Sequence, residues 1–299
     1  MSDWGQGAKN NNIGWGQGAV NNDISWGAVH ADSWAGDTDI VGGIPYDTDY
    51  QAVLNRAVAL NYNLPSTSQQ IIQNQLVLDL KAGDIWNKLD VLYIFANDGG
   101  RDFATINWKT PNSYRASLNN PLTFITNQGI TGSSSGWINT TFNPTIGTNN
   151  YKVADASRYI YVRTQGVSQS LDGVSTGNVN CFVASASPTP STSISLFRIN
   201  QGSNAPTWAG GAVNSNASNQ MKSIHRTSST ASRVYLGTTS YNFTNLAGVN
   251  ALASLDQLIL QRNGVGGDSQ ISMYSMGANL VAENTDYVNA FNTYINSLV

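Results

Sequence analysis

The amino-acid sequence predicts a mainly β protein: an antiparallel β-sandwich preceded by a helical hairpin, closed by a C-terminal amphipathic helix and led by an extended N-terminal arm. Three observations carry this expectation. Beyond residue 100 the chain runs as short β-branched and aromatic stretches separated by turn clusters, among them Asn119-Asn120-Pro121, Gly132 to Gly136, Ser187-Pro188-Thr189-Pro190 and Gly264 to Gly267. That spacing is the pattern of sandwich strands. Helical periodicity is confined to residues 47–83 and to the C-terminal end, and the opening residues show neither pattern but repeat themselves.

The repeat reads Trp4-Gly-Gln-Gly-Ala-Lys-Asn-Asn-Asn-Ile-Gly, then Trp15-Gly-Gln-Gly-Ala-Val-Asn-Asn-Asp-Ile-Ser, then Trp26-Gly-Ala-Val, with Trp34 opening a degenerate fourth element. Its period is 11 residues (15 − 4 and 26 − 15). Eleven residues also make three helical turns, but Gly5, Gly7, Gly14, Gly16 and Gly18 would each cost a helix about 1 kcal/mol, so an extended or looped path is expected. Burying four indoles of about 200 Å² each offsets only part of the backbone entropy lost on ordering such a stretch. The arm is therefore not expected to fold alone. Trp4, Trp15, Trp26 and Trp34 read as anchors that fill pockets on another protein surface, the alternative being that the arm packs on its own sandwich.

From Asp47, the residues Tyr50, Val53, Leu54, Ala57, Val58 and Leu60 fall on one helical face, with Asp47 or Thr48 placed to cap it. After Pro65-Ser66 a second helix sets Ile72, Leu76 and Leu80 in register, with Gly83 as its C-terminal stop. Val91 to Phe95 is an apolar run of strand length. Further strands are expected at Leu122–Ile125, Tyr159–Val162, Val179–Val183, Ser193–Phe197, Val234–Leu236, Gln257–Leu260 and Ile271–Tyr274, the last with clear alternation. Tyr287, Phe291, Tyr294, Ile295 and Leu298 form a stripe that should close over the sandwich. The implied organisation is an arm at 1–42, a helical hairpin at 43–90, a sandwich at 91–276 and a packed helix at 277–299.

Composition limits the chemistry. Only 11% of residues are charged and the formal net charge is −3, against roughly 25% charged in average domains. There is no basic footprint, so no nucleic-acid partner is expected. No stretch approaches the roughly 20 apolar residues of a membrane span, so no membrane insertion is expected. Cys181 is the one cysteine, which excludes an intrachain disulfide and a cysteine zinc cluster.

A glycosidase would need two carboxylates about 5 to 9.5 Å apart. The single glutamate, Glu283, sits at the start of the terminal helix, where it complements the helix dipole. The pairs Asp98/Asp102 and Asp47/Asp49 read as turn or cap residues. His30 and His225 are the only histidines; neither has a ligand-spaced neighbour, and Gly-x-Ser-x-Gly is absent. No catalytic residues, metal ligands or cofactor are expected, although Ca²⁺ on loop oxygens stays open. Sugar binding is the chemistry with suitable material: Trp108 with Asn107, Trp137 with Asn139, Trp208, and Asp268 in a Gly-rich turn. Trp108, Trp137 and Trp208 are the candidate glycan platforms.

Across roughly residues 47–299 the order of segments carries a resemblance. The hairpin is followed by Asp79-Leu80-Lys81, then Gly83-Asp84-Ile85-Trp86-Asn87-Lys88-Leu89, and an apolar strand ending at Asn97. Phe103, Asn107, Trp108 and Asn112 come next, and Tyr274-Ser275-Met276-Gly277-Ala278-Asn279-Leu280 precedes the last helix. This resembles a family of phage structural proteins with a laminin-G-like, concanavalin A-like jelly roll. The Trp-Gly-Gln-Gly-Ala-x-Asn-Asn arm is similar to N-termini of virion proteins from tailed phages of Bacteroidota hosts. Two positions depart from the pattern: Lys88-Leu89-Asp90 stands for Lys-Met-Lys, and Val281 stands where a Ser/Thr helix cap is usual.

The resemblance implies a non-enzymatic virion component made in the host cytoplasm, a fibre, appendage or decoration protein of head or tail. It would contact capsid, portal, tail or fibre subunits through residues 1–42. A host-glycan-binding adhesin is the alternative, and a glycan-degrading enzyme the third reading. The family carries no agreed catalytic set to transfer.

Overall fold

A computed structural model describes residues 40–41, 44–133, 135–147, 149–166, 170–176, 179–184, 196–201, 217–244, 251–262 and 264–298. The chain divides into two units, Met1–Tyr46 and Asp47–Val299. Within the first, β1 (Ile40–Val41) pairs antiparallel with β2 (Ile44–Pro45). Trp4, Trp15, Trp26, Trp34 and Trp208 lie outside the described residues.

The second unit is a sandwich of two antiparallel sheets with helices on one outer face. The larger sheet contains β3 (Leu89–Ile94), β5 (Thr123–Ile125), β6 (Gly129–Thr131), β8 (Ala156–Thr164), β12 (Gln220–Arg226), β13 (Ser232–Leu236), β14 (Thr239–Phe243) and β18 (Gln270–Gly277). Its order is β14-β13-β12-β8-β18-β6-β5, with β3 also paired to β18. The smaller sheet contains β4 (Ser117–Asn119), β7 (Trp137–Asn139), β9 (Ser170–Thr176), β10 (Val179–Ala184), β11 (Leu196–Gln201) and β15 (Leu258–Ile259), in the order β11-β10-β9-β15-β7-β4. A short ribbon pairs β16 (Gln261–Arg262) with β17 (Val265–Gly266).

The core lies between the sheets. Ile160, Val162, Ile224, Val234, Ile271 and Met276 of the larger sheet share one buried cluster with Ile138, Leu171, Ile199 and Ile259 of the smaller, as expected of two packed sheets. One ion pair crosses this interior. Arg158 on β8 donates to Asp172 on β9 at 2.8 Å from Nε, its Nη2 is 2.6 Å from the same carboxylate oxygen, and Nη2 also donates to the Tyr274 hydroxyl at 2.9 Å.

Helices α1 (Thr48–Ala59), α2 (Thr67–Ala82) and α3 (Asn284–Asn296) supply the third layer. Tyr287 packs on Tyr159 with ring centroids 4.6 Å apart, and Phe291 packs on Tyr161 at 5.0 Å. With helices on one side and the second sheet on the other, β18 is buried along its whole length. Its two serines therefore face packed helix and loop rather than water: Ser275 accepts from Tyr287 at 2.7 Å, and Ser272 donates to the Gln128 carbonyl at 2.6 Å.

Both hairpin helices sit where periodicity places them, with Asp47 capping α1 through the Asp49 amide and Ser66 capping α2 through that of Gln69. Three details differ from the sequence expectation. Val58 is 62% exposed, because the layer is only one helix deep and α1 buries Tyr50, Val53, Leu54 and Ala57 alone. In α2, Gln69 and Gln73 are buried along with Leu76, Val77 and Leu80. Tyr50 donates to Gln73 at 2.7 Å, Gln73 donates to Gln69 at 3.1 Å, and Gln69 donates to Asn127 at 2.6 Å, so each buried amide is satisfied. Gly83 does cap α2, but at φ −86.

The left-handed position is Asp84 (φ 55), with Ile85 N–H bonded to Leu80 O at 2.9 Å and Asp84 N–H to Lys81 O at 3.1 Å. This is a Schellman motif built on aspartate rather than glycine. Helix α1 ends the same way at Asn61 (φ 57), with Tyr62 N–H on Ala57 O and Asn61 N–H on Val58 O, both at 2.9 Å. No described helix is long and apolar enough to cross a membrane.

Candidate functional site

Two concavities are formed by described residues of the second unit. One is an apolar groove between α2 and α3 lined by Ile71, Ile72, Leu76, Ala290 and Tyr294. The other is an open polar cleft of about 380 Å³, lined by Tyr62, Arg101, Asp102, Thr105, Arg115 and Thr141, with Ala116, Ser117 and Leu118 completing it. The cleft is the candidate functional site, since its size falls in the range of small-ligand sites and its polar groups converge.

Local structure fixes each wall. The left-handed end of α1 turns the chain so that Tyr62 faces the cleft, where its hydroxyl accepts from Arg115 Nη1 at 2.9 Å. Gly100, at φ +101, takes a backbone conformation that side chains rarely adopt. Its amide is held by Asn97 Oδ1 at 2.9 Å. That turn delivers Arg101 and Asp102 into a 3-10 turn, Phe103–Thr105, in which Thr105 Oγ1 donates to Asp102 O at 2.6 Å. The Ala116 amide bonds Thr105 O at 2.9 Å and Thr141 Oγ1 donates to Arg115 O at 3.2 Å.

Beneath these walls lies Tyr93 of β3, fully buried, its hydroxyl 2.5 Å from Tyr114 O and 2.8 Å from Thr140 O. Burial pushes its pKa well above the usual tyrosine value, so at ordinary pH it remains a donor that ties the walls together. Arg101, Asp102 and Arg115 are exposed. Among the described residues neither arginine has a carboxylate within ion-pair distance.

The sequence candidates fall elsewhere. Trp108 is 0% exposed and packs on Tyr50 at 5.6 Å, and its neighbour Asn107 is also buried, accepting from the Leu92 amide at 3.0 Å. It presents no face to a sugar, so the glycan-platform expectation for Trp108 is corrected: an indole under the helical layer is core. Trp137 on β7 is half-buried, and next to it Ile138 points into the core. Asp268 lies against Gly166, where an added Cβ would come 2.0 Å from its Oδ1. Trp108 and Trp137 are therefore on different layers and do not form one platform.

Most of the carboxylates considered at the sequence level are structurally engaged. Asp47 and Asp49 pair with Lys81, each at 2.6 Å, and Asp98 accepts from the Ser66 amide at 3.0 Å. Glu283 is at the N-cap of α3 without a side-chain cap bond and pairs instead with Lys88 at 2.6 Å. Among the described residues no group of three His, Cys, Asp or Glu could hold a metal.

His225 on β12 is buried between Tyr159 and Tyr235, with centroids at 5.1 and 5.3 Å. Burial, with a smaller contribution from Arg233 and against a hydrogen bond from Asn279, lowers its pKa to about 3. Lys222 on the same strand is likewise lowered by burial, to about 7, and donates to Gln165 Oε1 at 2.6 Å. Tyr62, Arg101, Arg115 and Thr141 were not among the sequence candidates. The one local hint was the Gly99-Gly100-Arg101-Asp102 turn, since Arg115 and Thr141 reach the cleft only through strand pairing.

No protein-family model and no curated protein matches the sequence. Among solved structures, the chain is similar to domain 4 of AbnA, a GH43 extracellular arabinanase from Geobacillus stearothermophilus, solved with arabinotriose. There the TM-score is 0.45 at 12% identity, over 67% of this chain and 98% of that one. It is also similar to Trypanosoma rangeli sialidase, with TM-score 0.48 and 10% identity over 75% of this chain and 39% of that one. A third likeness is to the botulinum neurotoxin serotype D binding domain, with TM-score 0.40 and 9% identity over 70% of this chain and 52% of that one.

Proposed function

We propose that this chain is a non-enzymatic structural component of a tailed-phage particle, docked onto other virion proteins through residues 1–42 and displaying the sandwich of residues 47–299. The observation that carries the reading is the repeat: tryptophan at positions 4, 15 and 26, in a stretch outside a unit that has its own core. Regularly spaced indoles with glycine between them suit a series of pockets on a partner, because aromatic anchors dominate interface energetics. The resemblance of both segments to phage structural proteins supports a virion as the setting. The engagement of Asp47, Asp49, Asp98, Asp172 and Glu283 in ion pairs and backbone bonds supports a non-enzymatic role, and among the described residues the cleft is lined by a single carboxylate, Asp102.

The test is a phage carrying the chain without residues 1–42, or with Trp4, Trp15, Trp26 and Trp34 all changed to alanine. Purified particles should lose the protein by quantitative mass spectrometry while the isolated shortened protein melts as the full chain does. Particles that keep the full complement of the shortened protein would sink the reading. A second reading, a host-glycan adhesin, is favoured by one observation, the open polar cleft with two arginines.

A further inference from the structure

We propose that the cleft of Tyr62, Arg101, Asp102, Thr105, Arg115 and Thr141 binds the carboxylate of an acidic saccharide, a sugar-ring acid of the uronic or sialic type. The inference deepens the adhesin reading and is independent of where, or whether, a particle carries the chain.

Charge selects the ligand. Among the described residues, two guanidinium groups and one carboxylate line the cleft (+2 − 1 = +1), in a chain whose net charge is −3 and which has only 15 basic residues in all. Neither guanidinium has a carboxylate partner among the described residues. Planar guanidinium forks match a carboxylate in geometry as well as charge. A surplus of one positive charge suits one carboxylate better than a cluster of sulfates or phosphates, which Asp102 would oppose.

Preorganisation favours binding as well. Arg115 is held from one side by the Tyr62 hydroxyl at 2.9 Å, and its backbone is tied to Thr141. The Tyr93 hydroxyl fixes the two segments that carry Arg115 and Thr141. Less side-chain and loop freedom is then lost on binding. Hydroxyls select a saccharide over other carboxylates. Ser117 and Thr141 are exposed, and Asp102 offers acceptors for sugar hydroxyls. Leu118, half-buried at the cleft, gives an apolar contact for the C–H face of a ring.

Calorimetric titration of the full chain with trigalacturonate, sialyllactose, lactose and a hexaglutamate peptide tests the proposal. One of the two acidic saccharides should bind saturably and at least tenfold tighter than lactose or the peptide, which also separates the uronate source from the sialate. Arg101→Gln and Arg115→Gln should each weaken that binding tenfold or more. Arg101 is exposed and has no partner among the described residues, so its variant should melt as the wild type does and report on binding alone. The proposal is overturned by absence of saturable binding of either acidic saccharide up to millimolar concentration. Equal binding of lactose or the peptide, or unchanged affinity in Arg101→Gln, would overturn it too. Particle incorporation is read in a separate assay, so failure here leaves the docking role of residues 1–42 standing.

Discussion

Acidification probes the His225 network, which joins the larger sheet to the C-terminal helix. The Leu280 amide donates to Nδ1 of His225 at 3.3 Å, so the ring proton belongs on Nε2, which lies 3.0 Å from Ser223 Oγ. Ser223 in turn reaches Asn284 Oδ1 at 3.4 Å, and Asn284 Nδ2 donates to Gly237 O at 3.2 Å. A second ring proton would face the Leu280 N–H, donor against donor, in a site closed to water. The folded protein keeps this imidazole neutral down to about pH 3, whereas the unfolded chain protonates it near 6.5. Between those values the unfolded state binds more protons. The stability contribution is therefore fully present above 6.5 and lost as pH falls toward 3.

Over the two units from 6.5 to 4.5, at about 1.4 kcal/mol per unit, the loss is roughly 2.7 kcal/mol from this one side chain. Urea denaturation at pH 7.5 and 4.5, on wild type and His225→Gln, isolates it, because both proteins share every carboxylate. The wild type should lose roughly 2.7 kcal/mol more than the variant over that interval. Equal losses in the two proteins, or an imidazole that titrates near 6.5 by NMR in the folded state, would refute the reasoning.

Other perturbations follow from the same structure. Asp172→Ala leaves the Arg158 guanidinium without its ion-pair partner between the sheets and should cost about 3–5 kcal/mol in urea denaturation, while Arg158→Met with Asp172→Leu should recover most of that loss. Lys222 has a pKa near 7 in the fold against 10.5 unfolded, so here too the unfolded state binds more protons between those values and stability rises with pH. Wild type should gain about 2.3 kcal/mol from pH 7 to 9, the folded-state amine being still half protonated at pH 7, and Lys222→Met should lack that gain. Trp108→Ala should cost about 3–5 kcal/mol by thermal or chemical denaturation and leave saccharide affinity unchanged in the folded fraction, as expected of a core side chain. Gly129→Ala should destabilise by more than 1 kcal/mol, about the ordinary cost of a misplaced residue, since φ is +118 there and an added Cβ would meet the Ile271 carbonyl oxygen at 2.0 Å.

Much of the fold was legible from periodicity alone. Tyr50, Val53, Leu54 and Ala57 announced α1, Leu76 and Leu80 announced α2, and the Tyr287, Phe291, Tyr294 stripe announced a helix that covers the sandwich, because spacing in sequence is spacing on a helix face. Strand positions from Tyr159, Val179, Val234 and Ile271 were readable from short β-branched and aromatic runs between turn clusters. Burial of both faces of β18 was not, since alternation says which residues share a face and not what covers it. The polar ladder from Tyr50 through Gln73 and Gln69 to Asn127 was equally hidden: a glutamine at a core position reads as surface until its partner, 58 residues away for the last link, is in place.

The sequence by itself determined the β class, the helical frame, the repeat of the arm and the poverty of carboxylate pairs, all of them properties of composition and local spacing. Only the tertiary structure decided that Trp108 is core and that His225 and Lys222 are sealed from water. It alone brought Tyr62, Arg101, Arg115 and Thr141 to one cleft. Contacts between distant segments depend on strand order and register, and many orders satisfy the same alternation of side chains.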